Sequence, residues 1–69
     1  MKIQVVHRSR DCEPRILAAA NLAPALFRWA IECWAAATFD SFEIVNRNTV
    51  GDLKAVCNVT RDTIVLEEV

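Results

Sequence analysis

Residues 41–69 read SFEIVNRNTVGDLKAVCNVTRDTIVLEEV, and apolar and polar side chains alternate along most of this stretch. Alternation with a period of two is typical of β-strands that bury one of their faces. It predicts three strands, at Ser41–Arg47, Leu53–Val59 and Thr63–Val69. The two connections between them have hairpin lengths and are rich in turn-forming residues, so the C-terminal part is expected to be an antiparallel meander.

Upstream of this meander, the sequence predicts one further strand and one helix. Lys2–His7 is a short run with β-strand character, and a polar connection follows it. Pro14 suits a first helical turn, and the apolar stretch after it predicts a helix that is interrupted near Asn21, because the later Pro24 cannot continue a helical hydrogen-bond ladder. Asn21 is then expected to cap the main helix, Leu22–Ala37.

Together these elements predict one α+β domain that occupies residues 1–69. The order β-α-β-β-β implies two layers, a four-stranded and mainly antiparallel sheet with one kinked helix on one face. A chain of 69 residues has material for one core only. The side chains expected to point into that core are Ile3, Val5, Phe42, Ile44, Leu53, Ala55, Cys57, Ile64 and Leu66.

The predicted helix has two apolar faces. One is a stripe with spacings of four, three and four residues, formed by Leu22, Leu26, Trp29 and Cys33. We expect this stripe to pack on the sheet, which would bury Trp29 more deeply than Trp34. The second face points away from the first and is formed by Phe27, Ile31 and Trp34.

Two explanations for the second helix face remain open. Ile16 and Leu17 could fold back over it, or the face could be a homodimer or partner interface, since aromatic side chains are common anchors in protein interfaces. The outer face of the sheet offers another candidate interface. It is formed by Val6, Val45, Val56 and Val65. Valine on an exposed strand face usually reflects β-propensity alone, but four adjacent valines would form a binding patch.

The charge of the chain bears on its partners. A net charge of -1 and a pI near 5.7 argue against the broad basic surface of a nucleic-acid-binding protein. A local patch of Arg8, Arg10 and Arg15 is the alternative, because guanidinium groups bind phosphate in a bidentate manner. Asp11 and Glu13 dilute this patch, so an interaction with nucleic acid is the less favoured hypothesis.

No pattern of residues predicts a catalytic site, a metal site or a cofactor. Cys12, Cys33 and Cys57 form no CxxC pair, so they are interpreted as reduced thiols of a cytoplasmic protein. His7 and Cys12 could in principle act as base and nucleophile, but their spacing does not establish that they are close together. The acidic residues lack the spacing of a metal-binding loop. Charged residues in the middle of the apolar stretch also argue against a membrane span.

The layout of an N-terminal strand, the helix LAAANLAPALFRWAIECWAAA and the hairpin FEIVNRNTVGDLKAVCNV is similar to that of compact phage-encoded anti-CRISPR proteins. The resemblance covers the whole chain. It implies a stoichiometric inhibitor that occupies a site on a larger host nucleoprotein complex. The leading hypothesis is a non-enzymatic protein-binding module, which could act as such an inhibitor and could also form a homodimer. The alternatives are a small nucleic-acid-binding regulator and an accessory subunit of a larger assembly.

Overall fold

The computed structural model describes residues 1–45 and 53–69. Within these ranges the chain forms one α-helix, one short 3-10 helix and five strands. They are β1 (Lys2–Arg8), β2 (Arg15–Asn21), the 3-10 helix (Pro24–Leu26), α1 (Phe27–Thr38), β3 (Phe42–Val45), β4 (Lys54–Cys57) and β5 (Thr63–Glu68). The strands form one sheet in the order β2-β1-β5-β4-β3, and each neighbouring pair is antiparallel. The protein is thus α+β, with one α-helix and a five-stranded antiparallel sheet.

The segment Arg15–Asn21 is a strand, and the prediction of a helical start at Pro14 is wrong. Its residues pair with β1, from Asn21 opposite Lys2 to Arg15 opposite His7. A helix of seven residues that ends before a proline gains too few hydrogen bonds to offset the cost of its nucleation, even when it is rich in alanine. As a strand, the same segment satisfies backbone groups of β1 that would otherwise lie on a sheet edge. This pairing gives five strands where the sequence predicts four.

The α-helix begins later than the sequence predicts, and Asn21 does not cap it. Leu22 still follows the path of β2, and its backbone N–H donates a hydrogen bond of 2.9 Å to the Met1 carbonyl oxygen. Pro24 starts the 3-10 helix, where its missing N–H costs nothing. Neither helical segment has a side-chain N-cap bond. In the described ranges, no helix has both the length and the apolarity needed to cross a bilayer.

The three C-terminal strands are confirmed; β4 and β5 are shorter than predicted, and β3 begins one residue later than predicted, at Phe42. β3 pairs with β4, and β4 pairs with β5. The connection between β4 and β5 is closed by a 2.8 Å hydrogen bond from the Cys57 N–H to the Asp62 carbonyl oxygen. Arg47 and the first predicted hairpin connection lie in 46–52, outside the described residues.

The core lies between α1 and one face of the sheet. The predicted inward set is confirmed, since Phe42 and Ile44 pack against the core and the other members are buried in it. The helix side of the core is formed by Phe27, Ala30, Ile31 and Ala35, followed by Phe39. No polar or charged residue of the described chain is classed as buried. The core is therefore purely apolar, and the polar side chains with functional potential lie around it.

Candidate interaction surfaces

The structure reverses the predicted orientation of the helix. Phe27 and Ile31 are buried, with 2% and 0% of their surface exposed, and Trp34 packs against the core from a partly buried position. Trp29, by contrast, is 60% exposed and Leu26 is 45% exposed. The prediction that Trp29 is more buried than Trp34 is wrong. The face assigned as an interface on Phe27, Ile31 and Trp34 therefore belongs to the core of the monomer.

The charged side chains of the helix could not distinguish its two apolar faces. At 100° per residue, Arg28 and Glu32 lie between the faces and are about equally far from both. The pattern that does identify the inner face is the spacing i, i+3, i+4, i+7, i+8 of a core-facing helix. It is met by Phe27, Ala30, Ile31, Trp34 and Ala35. This pattern is hard to recognise in the sequence because two of its five members, Ala30 and Ala35, are alanines, which are also common on exposed helix faces.

The outward side of the helix carries an apolar strip, which we call the Trp29 surface and define by Leu26, Trp29 and Cys33. All three residues are exposed. Arg28 and Glu32 lie beside it and form an exposed ion pair, with 3.1 Å between Arg28 Nε and Glu32 Oε1. The surface therefore has a large aromatic centre and one charged border. Such a combination is common in protein interfaces, which have an apolar middle and a polar rim.

The four outer valines do not form one uninterrupted row. Val6 lies opposite Val65, but Lys54 is the next residue across the sheet and separates Val65 from Val45. Val56 belongs to the neighbouring row, where it lies opposite Thr63 and Glu43. Val6 is only 2% exposed even though it lies outside the main core cluster. An interface role for Val45, Val56 and Val65 stays a prediction. The support for it is weaker, because the three valines do not form one continuous apolar patch.

The structure brings two of the three predicted phosphate-binding arginines together and adds a third that the sequence reading missed. Arg8 and Arg10 line one cavity at the end of the sheet, and Arg61 from the β4–β5 connection lines it with them. Arg15 is not among the lining residues. Arg8 also forms an ion pair with Glu67. Arg61 is distant in sequence from the other two, and only the antiparallel pairing of β1 with β5 places it there.

The hydrogen-bond partner of His7 is Asp62, from the connection between β4 and β5. Its Nε2 lies 3.1 Å from Asp62 Oδ2, and the Ser9 hydroxyl donates a hydrogen bond of 3.0 Å to the same oxygen. The imidazole ring also packs edge-on against Phe39, with 5.6 Å between the ring centroids. Asp62 thus ties the end of β1 to the β4–β5 connection.

Of the three cysteines, Cys57 is the one whose thiol is buried. It is 6% exposed, whereas Cys12 and Cys33 are exposed, and all three are free thiols. The placement of Cys33 as a core thiol is therefore wrong, and that of Cys57 is confirmed. A hydrogen bond from the Thr60 hydroxyl, with further bonds from the backbone N–H groups of Thr60 and Val59, lowers the pKa of the Cys57 thiol. Cys57 also borders a cavity of about 290 Å³ together with His7 and Asp62.

Comparison of the chain with family models, with curated proteins and with solved structures found no match. Among the residues that the structure describes, no group of three or more His, Cys, Asp or Glu side chains is placed to hold a metal ion. The functional argument therefore rests on the Trp29 surface and on the arginine-lined cavity.

Proposed function

We propose that this protein is a cytoplasmic, non-enzymatic protein-binding module that docks on its partner through the Trp29 surface. The observation that supports this is the 60% exposure of Trp29 on a helix whose opposite side closes the core without it. A tryptophan side chain has about 150–250 Å² to bury. Leaving 60% of it in water forgoes roughly 2–4 kcal/mol of hydrophobic free energy. A partner that covers Trp29 would recover this free energy.

The spacing of the Trp29 surface favours one mode of recognition. Trp29 and Cys33 lie on α1, and Leu26 is the last residue of the 3-10 helix that leads into it. Their spacing of i, i+3 and i+7 is the pattern of a helix that lies in an apolar groove of another protein. The partner we propose is accordingly a protein with an apolar groove wide enough for one helix. The Arg28–Glu32 pair at the border carries no net charge, so it would orient the helix more than it would attract the partner.

The resemblance to anti-CRISPR proteins suggests a class of partner. Under that hypothesis, the groove belongs to a subunit of a host nucleoprotein complex, and the protein inhibits the complex by occupying the groove. The layout on which the resemblance rests has one strand fewer than the structure, because it lacks β2. Docking through the Trp29 surface requires a partner with an apolar groove, and it does not depend on the resemblance to anti-CRISPR proteins.

Photo-crosslinking from the helix tests the proposed function. A photoreactive derivative of phenylalanine, which keeps an aromatic ring at the site, replaces Trp29 in one variant. The same amino acid replaces the exposed Glu13, in the β1–β2 connection, in a matched control. Both variants are irradiated in cells that make the protein, and the adducts are identified by mass spectrometry. We expect a stoichiometric adduct from position 29 only. Excess wild-type protein should compete it away, and a Trp29→Ala variant should not.

The other outcomes of this experiment contradict the proposal in distinct ways. An adduct with twice the mass of the chain identifies a second copy as the occupant and makes the protein a homodimer. Equal adducts from positions 29 and 13 indicate non-specific contact. The absence of any adduct from position 29, in cells that make the protein, shows that the Trp29 surface is not the docking site.

A further inference from the structure

The arginine-lined cavity is a second candidate site, and it does not depend on the Trp29 surface. Its volume is about 390 Å³, and it is lined by Arg8, Ser9, Arg10, Thr60, Arg61 and Thr63. Arg8 and Thr63 lie opposite each other on β1 and β5. The cavity thus joins the end of β1 to the β4–β5 connection, and three arginines line it together with three residues that carry hydroxyl groups.

The ion pairs of the region leave this cavity with an excess of positive charge. Arg8 contacts Glu67, but a guanidinium group has five N–H donors, so one carboxylate does not saturate it. In the part of the chain that the structure describes, neither Arg10 nor Arg61 forms a salt bridge. The nearby Asp62 carboxylate already accepts bonds from His7 and Ser9. Glu67 is thus paired with Arg8 and Asp62 with His7, so in the described part of the chain no ion pair offsets the charges of Arg10 and Arg61.

The backbone at Arg61 adds a second observation. Its φ angle of 65° lies in the left-handed region, where glycine or asparagine is the usual residue. The connection is held by hydrogen bonds of 3.1 Å from the Arg61 N–H to the Cys57 oxygen and of 2.8 Å from the Cys57 N–H to the Asp62 oxygen. Glycine at this position would make the fold more stable, because it adopts the left-handed conformation without strain. The presence of arginine instead favours a role for its side chain.

We propose that this cavity binds the phosphate group of a small phosphomonoester. Guanidinium groups match phosphate oxygens in bidentate geometry, and a phosphomonoester carries close to two negative charges that several arginines can share. The cationic residues converge on one cavity. Among the described residues, the adjoining face of the sheet carries valines and Glu67, without the aromatic residues on which the bases of a single strand would stack. A single phosphate therefore fits better than a nucleic-acid strand.

Thermal unfolding with phosphate tests this proposal. Inorganic phosphate and glycerol phosphate serve as probes, and chloride at equal ionic strength serves as the reference. Above the dissociation constant, each tenfold increase in free ligand should raise the melting temperature by roughly 5–10 °C. A larger shift with glycerol phosphate than with inorganic phosphate identifies an ester as the ligand, and the reverse order would overturn that assignment in favour of free phosphate.

Arg61→Gly is the decisive variant, because glycine suits the left-handed backbone while the guanidinium group is lost. We expect its melting temperature in chloride to be at least that of the wild type, and its phosphate-dependent rise to disappear. Arg10→Gln should also lose the rise, whereas Arg28→Gln on the helix should keep it. Equal shifts in the wild type and in Arg61→Gly, or no shift in the wild type, would overturn the proposal. Stronger binding of a single-stranded oligonucleotide than of either probe, with a steep salt dependence, would replace it with nucleic-acid binding.

Discussion

Replacing Ile31 with alanine is expected to lower the free energy of unfolding by about 2–5 kcal/mol. Ile31 has no exposed surface and lies in the cluster that joins the helix to the sheet, so the substitution leaves a cavity that neighbours cannot fill completely. A domain of 69 residues has roughly 3–10 kcal/mol of stability in total. The variant should therefore unfold at a much lower denaturant concentration, which circular dichroism during urea titration measures.

Trp29→Ala is the matched control for this substitution. It removes a larger side chain from the same helix, but that side chain is 60% exposed. Surface substitutions usually change stability by no more than about 0.5 kcal/mol, and the part of Trp29 that is covered by the protein could raise this to roughly 1.5–2.5 kcal/mol. If Trp29→Ala costs as much as Ile31→Ala, the helix faces the sheet with its other side, and the proposed docking surface does not exist.

The second large effect concerns binding. Once the crosslinked partner is known, Trp29→Ala is expected to weaken the complex by about 30-fold or more, which corresponds to roughly 2 kcal/mol or more. Tryptophan in the centre of an interface is often such a hot spot, because the partner removes it fully from water. Isothermal titration calorimetry of purified partner and variant measures the change.

Arg28→Ala provides the control for the binding experiment. Its side chain lies at the border of the Trp29 surface, is 64% exposed and pairs with Glu32. A rim charge of this kind mainly changes the association rate and its salt dependence, so we expect an effect of only a few-fold. Unchanged affinity in Trp29→Ala, or a larger loss in Arg28→Ala than in Trp29→Ala, would place the interface elsewhere.

The C-terminal strands and the sheet side of the core could be predicted from the sequence because their signal is local. Alternation in the segments of β3, β4 and β5 specifies which side chains share a face without reference to the rest of the chain. Ala55 and Ile64 were assigned inward on this basis, and both are fully buried.

The start and the orientation of the helix are harder to predict, because contacts with distant parts of the chain decide where the helix begins. The segment Arg15–Asn21 has a composition that favours helix, but pairing with β1 makes it a strand. The sequence therefore predicts a helix that starts at Leu22, whereas α1 starts at Phe27. The earlier start adds Leu22 and Leu26 to the stripe of Trp29 and Cys33, which then resembles a core-facing side of the helix. With the correct start, the periodic pattern that begins at Phe27 identifies the buried side.

The candidate sites depend on contacts between residues that are far apart in sequence. Arg8 and Arg10 form a local basic run that the sequence shows directly, but Arg61 joins them only through the β1–β5 pairing. The contact of His7 with Asp62 arises in the same way. No spacing rule within one segment could have indicated either arrangement.

Fluorescence from Trp29 tests most directly whether the helix leaves this residue open for a partner. Trp29 and Trp34 are the two tryptophans, so Trp34→Phe leaves Trp29 as the sole reporter. We expect the free protein to show the red-shifted emission of a hydrated indole and strong quenching by acrylamide. Saturation with the partner should shift the emission to the blue and protect it from quenching. Blue, protected emission from the free protein, or emission that does not change when the partner binds, would contradict the proposal that Trp29 is the docking residue.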